Sequence, residues 1–131
     1  MNSLIVFARI YKNVYGRNYN TAFADLVNIE LSNIIFKYEM RILRMRLLYE
    51  KNEIENLIDD IHSAREYIKR DKFLSEVHKI RENNFIKFLE VLCTKNTIRE
   101  LKKSTALLIK EHEILNKEWL IDKYKIKLKI D

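Results

Sequence analysis

Residues 31–50 read LSNIIFKYEMRILRMRLLYE, and their periodicity decides the fold class. Leu31, Ile35, Tyr38, Ile42, Met45 and Tyr49 recur in steps of 4, 3, 4, 3 and 4. A helix brings residues at that spacing onto one face, whereas a strand would need strict alternation. Phe23, Val27, Ile34 and Leu48 widen the seam into a core-facing stripe, so a long helix is expected from Thr21 to Tyr49.

The same rhythm continues on both sides. Upstream, residues 3–15 place Leu4, Phe7, Ala8, Tyr11, Val14 and Tyr15 on one helical face, although the β-branched start also allows a strand. Gly16, with Asn18 and Asn20, marks a loop, because glycine and asparagine tolerate the left-handed conformation that ends helices. Downstream, the polar run EKNE at 50–53 reads as a turn. A helix then carries Ile54, Leu57, Ile58, Ile61, Ala64 and Ile68 and ends near Arg70 and Asp71. Residues 72–93 form another, with Asn83 and Asn84 as a candidate bend. Thr97, followed three residues later by Glu100, is a capping box that starts a further helix. Its seam, Ile98, Leu101, Thr105, Leu108, His112, Leu115 and Trp119, predicts about 22 residues of helix.

The final nine residues break the pattern. KYKIKLKID, 123–131, alternates Lys123, Lys125, Lys127 and Lys129 with Tyr124, Ile126, Leu128 and Ile130. Strict alternation is the signature of a strand with one apolar side, which must pair with an edge: the N-terminal segment, a second copy, or a partner's sheet. The sequence therefore predicts an all-α fold, a four- to five-helix antiparallel bundle with a short extended C-terminal tail. It assigns 1–131 to a single helical domain, made of a basic segment and loop at 1–20, the bundle at 21–121 and the tail at 122–131.

Composition narrows the function classes. With 131 residues, 47% hydrophobic and 34% charged, the chain can bury a core and is not of disordered composition. One cysteine, Cys93, forbids an internal disulfide and fits a reducing, cytoplasmic setting. No long uninterrupted apolar stretch indicates a membrane span or a secretory leader. The absence of glutamine beside 18 isoleucines, 16 lysines and 12 asparagines points to an AT-rich genome or a thermophile. With a single glycine, a glycine-rich phosphate loop is excluded. His62, His78 and His112 lie too far apart in sequence for two to share a metal on one helix, and Asp59 with His62 gives only one Asp-x-x-His. No metal, cofactor or catalytic set is therefore expected. Cys93 follows an apolar run and reads as buried and inert.

The remaining signal is charge. The formal net charge is +6, and basic residues cluster. Residues 1–20 carry Arg9, Lys12 and Arg17 against no carboxylate, interleaved from 11 onward with Tyr11, Tyr15 and Tyr19. Lys37, Arg41 and Arg44 form a ridge on the long helix, and residues 72–103 hold eight basic groups against four acidic ones. The tail lysines, if extended, would repeat at about 6.6 Å, near the phosphate repeat of a nucleic acid. The reading is a non-enzymatic, nucleic-acid-associated structural or accessory protein that binds phosphate backbone without strong sequence preference. Its contacts would be Lys12, Arg17, Lys37, Arg41, Arg44, Lys123, Lys125, Lys127 and Lys129, with Tyr15 and Tyr19 stacking on bases. The alternative is a protein-protein adaptor or inhibitor, or a self-associating chain, that uses an apolar helix face or the tail residues Tyr124, Ile126, Leu128 and Ile130. A helical hydrolase built around His78 or His112 stands third.

Overall fold

A computed structural model describes the backbone of residues 3–22 and 34–130, and the side chains of 8–22 and 36–129. All regular structure in these residues is helical, as the seam at 31–50 predicts, and none of them forms a strand. The helices are α1 (Ser3–Tyr15), α2 (Ile34–Glu50), α3 (Ile54–Arg70), α4 (Glu76–Thr94), α5 (Ile98–Lys110) and α6 (Lys117–Ile130). A further helical stretch occupies residues 19–22. The chain divides into two compact units, Met1–Asp60 and Ile61–Asp131.

In the first unit, α1 ends in a Schellman motif. The amide of Arg17 donates to the Val14 carbonyl and that of Asn18 to the Asn13 carbonyl. The left-handed residue is Arg17, with φ of 61°, and not Gly16. Gly16 occupies the preceding position, where an added Cβ would come within 3.3 Å of the Lys12 carbonyl oxygen. Ile10 and Val14 of α1, with Ala22, pack on Met40, Leu43 and Leu47 of α2, and Tyr19 closes over this cluster. These α2 residues are a second apolar face beside the expected one, of which Tyr38, Ile42, Met45 and Leu48 are also buried. On α1, the buried line runs through Ile10 and Val14, while Ala8 and Tyr15 of the expected face are exposed. The upstream part of the seam, with Phe23, Val27 and Leu31, lies outside the described residues.

The expected turn at 50–53 is present. Asn52, with φ of 58°, donates to the Tyr49 carbonyl and Glu53 to the Leu48 carbonyl, a second Schellman motif. α3 follows at once, and Leu57, Ile61, Ala64 and Ile68 are buried as its periodicity requires. The division between the units falls within this helix, at Asp60 and Ile61.

In the second unit, α4 starts later than the apolar pattern suggests. The Asp71 carboxylate accepts from the amides of Phe73 and Leu74, and the Ser75 hydroxyl accepts from the His78 amide as the N-cap. Residues 72–75 are thus a connection, and Phe73 is left 88% exposed. Asn83 and Asn84 do not interrupt α4. Thr97 caps α5 as expected, accepting from the Glu100 amide at 3.2 Å.

Two expectations fail beyond this point. The single helix from Ile98 to Trp119 is broken at 111–116. That segment docks on α4: Arg81 Nε pairs with Glu113 at 2.7 Å, Asn84 donates to the Glu111 carboxylate and to the Glu113 carbonyl, and Lys117 Nζ caps the Ile109 and Glu111 carbonyls. His112, placed on a helical seam by the sequence, is exposed in this connection. The seam rhythm therefore crosses a real break by coincidence, because glutamates suited to a helix find tertiary partners outside it.

The second failure is the tail, which is helical to Ile130 and not extended. The new helix starts at Lys117 with its own phase, so Leu120 and Tyr124 are fully buried, with Ile121 and Leu128 half-buried beside them. This is spacing of i, i+4 and i+8, and its last two members, Tyr124 and Leu128, also fall on the strand alternation of 123–131. Ile126, on the opposite side, is 44% exposed, and the side chain of Ile130 lies outside those described. α4, α5 and α6 pack on one another. Contacts of Trp119 with Phe85, of Tyr124 with Phe88 and of Lys127 with Leu92 advance together along both chains, so α6 runs parallel to α4. With α5 connecting them, the order is up, down, up.

Candidate functional site

The basic and aromatic residues of the first unit differ in exposure. Lys12, Arg17 and Tyr15 are exposed, and the Tyr15 ring stacks on half-buried Tyr11 with centroids 6.3 Å apart. Tyr19 is partly buried against the core cluster. Burial lowers the pKa of the half-buried Arg46 guanidinium, against the favourable field of Tyr15, Tyr11, Glu50 and Tyr19. Burial, then the nearby Glu39 carboxylate, raises the Tyr11 phenol. Tyr11 and Tyr19 are thus wall elements of the first unit, and Tyr15 alone presents an open ring.

The α2 ridge is engaged within the molecule. Arg44 Nε binds the Asp60 carboxylate at 2.6 Å, and neither Lys37 nor Arg41 is free of partners. Residues 1–60 hold eight Lys and Arg against eight Asp and Glu, so this unit has no net formal charge. Residues 61–131 hold 17 against 11 and carry the whole +6.

Within the second unit the tail lysines separate into two kinds. Lys127 Nζ donates to the Leu92 and Lys95 carbonyls, capping the C-terminus of α4, where the helix dipole favours a cation. Lys123 lies over the Trp119 ring, 5.7 Å from its centroid. Lys125 and Lys129 are exposed on the outer side of α6. That side reads Glu118, Asp122, Lys125, Lys129 from N- to C-terminus, the order the helix dipole favours. Tyr124, expected on a docking edge, is instead fully buried, its hydroxyl donating to the Phe88 carbonyl at 2.6 Å and lying 3.0 Å from the Ser104 hydroxyl.

Four cations that the sequence pattern does not single out stand on α5. Arg99, Lys102, Lys103 and Lys110 are exposed, opposite the buried Leu101, Ser104 and Leu108. A local signal for them exists: counted from the Thr97 cap, they fall on one side of a helix. A net charge taken over 72–103 hides it, because it averages this side with α4 and leaves out Lys110.

His62 lies near Glu90, His78 Nδ1 is 3.3 Å from the Ser75 hydroxyl, and His112 is exposed in the connection at 111–116. His62 Nε2 is 3.8 Å from Glu90, but that carboxylate is already gripped at 2.8 and 2.9 Å by both terminal nitrogens of Arg65. The Arg65 hydrogen bonds hold the Glu90 carboxyl below the usual carboxylate range. An open depression of about 610 Å³ beside them is lined by His62, Ser63, Glu66, Tyr67 and Arg70, with Arg70 and Glu66 paired at 3.6 Å. Burial pushes the half-buried Cys93 thiol up to about 11, which keeps it protonated at neutral pH. Among the described residues no three His, Cys, Asp or Glu side chains are grouped to hold a metal ion, and no helix is long and apolar enough to cross a membrane. Comparison with protein-family models, curated proteins and solved structures finds no match to this chain.

Proposed function

We propose that this protein is a non-enzymatic binder of nucleic-acid phosphate backbone, with little sequence preference, and that the second unit carries the activity. One observation supports the reading above others: the net charge resides in residues 61–131, and α5 displays four exposed cations on one side, with Lys125 and Lys129 exposed on neighbouring α6. Exposed lysines and an arginine on a firm helix can neutralise phosphates and release their counterions, whereas cations already paired within the fold cannot do so without breaking those pairs.

The test is the salt dependence of binding to a mixed-sequence oligonucleotide. Four phosphate contacts predict a loss of affinity of about 100-fold between 50 and 200 mM salt. Combined reversal of Arg99, Lys103 and Lys110 to Glu should abolish most binding, while the same change at Lys37, Arg41 and Arg44 should have far less effect on binding. Absence of binding at low salt would refute the proposal.

A second reading, docking of a protein through an apolar helix face, is favoured by Phe73, Val77 and Ile80, which are 88%, 48% and 49% exposed around the start of α4. Under it, Phe73→Ser with Val77→Ser would abolish self-association or partner capture and leave oligonucleotide binding intact. An unchanged assembly state would count against it.

A further inference from the structure

The helix that bears these cations also fixes their arrangement, and the arrangement selects among forms of nucleic acid, on the premise that the protein binds nucleic acid at all. α5 starts at a defined cap, Thr97, and is anchored by Leu101, Ser104 and Leu108, all buried. At 3.6 residues per turn, the outward arc of about 100° opposite those anchors holds Arg99, Lys102, Lys103, Ala106 and Lys110. All five are exposed. A rise of about 1.5 Å per residue puts Arg99 and Lys103 about 6 Å apart along the axis, and Lys103 and Lys110 about 10 Å apart. The whole ridge spans about 16 Å along the helix axis. The one acid of α5, Glu100, lies off this arc beyond Leu107.

The composition of the arc is as informative as its spacing. It has no aromatic ring, and Ala106 leaves its centre low between the cations. Proteins that hold single strands without sequence preference combine a basic groove with rings on which successive bases stack. A double helix offers a regular ladder of phosphates and keeps its bases stacked internally, so a row of cations with no ring suits it. The exposed rings among the described residues, Tyr15 in the first unit and Tyr67 and Phe73 in the second, all lie outside α5. We propose that the outer face of α5 binds duplex nucleic acid through the phosphates of one strand and discriminates against single strands, because it carries no aromatic ring to stack on an unpaired base.

Fluorescence anisotropy of the full chain with a DNA duplex, an RNA duplex of the same sequence, and their separated strands tests this directly. The expected result is that at least one duplex binds about tenfold or more tightly than its strands, with a slope of log K against log salt of about −3.6 for four contacts. The tighter duplex identifies the source of the phosphate ladder. Ala106→Glu puts a carboxylate in the middle of the ridge without touching the buried side, so its circular dichroism should match the parent. Its duplex affinity should fall about tenfold and its salt slope should flatten. Strands that bind as tightly as duplexes, or an Ala106→Glu variant that binds normally, would overturn the proposal while leaving backbone binding intact. No binding to any nucleic acid would overturn both. Saturable binding to phosphatidylserine vesicles, lost in Ala106→Glu and unaccompanied by duplex binding, would assign the face to an anionic lipid surface and also overturn it.

Discussion

The two units use the same residue types in opposite ways. In Met1–Asp60, Arg44 is tied to Asp60 and Arg46 lies half-buried, so these cations serve the fold. In Ile61–Asp131, some cations are occupied likewise: Arg65 grips Glu90, Arg81 pairs with Glu113 and Lys127 caps α4. Arg99, Lys102, Lys103 and Lys110, however, stand out from an amphipathic helix whose opposite side is buried. The contrast teaches that a count of basic residues measures available charge poorly. Availability depends on which carboxylates and carbonyls the fold brings within reach.

This contrast would break most severely if α6 were not the buried support of the second unit. Tyr124→Ala removes a fully buried ring together with its hydroxyl contacts to Phe88 and Ser104. Loss of about 3–5 kcal/mol is expected in urea unfolding, as for other buried aromatics. An unchanged midpoint would mean that the tail is not packed as described. Ile126→Pro tests the helix itself. Ile126 is 44% exposed and its loss removes little packing, but proline within α6 should destabilise by about 3 kcal/mol. An extended tail would tolerate the same change with little effect.

Smaller effects sharpen the contrast. Because Arg65 lowers the Glu90 pKa, the stabilisation from this pair is present at neutral pH and is lost as pH falls through the lowered value. Both groups are partly exposed, so Glu90→Gln should cost only about 1 kcal/mol at pH 7. The deficit relative to the parent should shrink as the pH is lowered, and a deficit that persists in acid would implicate packing in place of charge. In the first unit, Arg17 adopts φ of 61° at the end of α1. Arg17→Gly should raise stability by about 1 kcal/mol through relief of that conformation. Oligonucleotide affinity should be unchanged; a marked loss would restore the first unit as a contact surface.

Several elements were legible residue by residue. The seam through Tyr38, Ile42 and Met45, the α3 face from Leu57 to Ile68, the turn at Asn52 and the Thr97 cap depend on contacts within a few residues, and the structure contains them all. The Ser75 cap was available but hidden, because the apolar run favours a helix from Lys72 while Asp71 binds the amides of the intervening turn. For the candidate site, the tail lysines and the α2 ridge were visible as charge. The occupation of Lys127 by the Leu92 and Lys95 carbonyls and of Arg44 by Asp60 was not, since those partners are 16 to 35 residues away.

The sequence by itself determined that the chain is helical, where most of its helices lie and that it carries an excess of positive charge, because periodicity, caps and composition are local or additive. Tertiary structure alone decided the fate of 123–130. Tyr124 and Leu128 satisfy both a strand alternation and a helical i, i+4 spacing, and the choice falls to helix because Phe88, Ser104 and Leu92 offer a buried surface and hydrogen-bond partners at helical positions. Likewise only the fold decided which cations remain available, since an ion pair or a capped carbonyl requires two segments distant in sequence to meet.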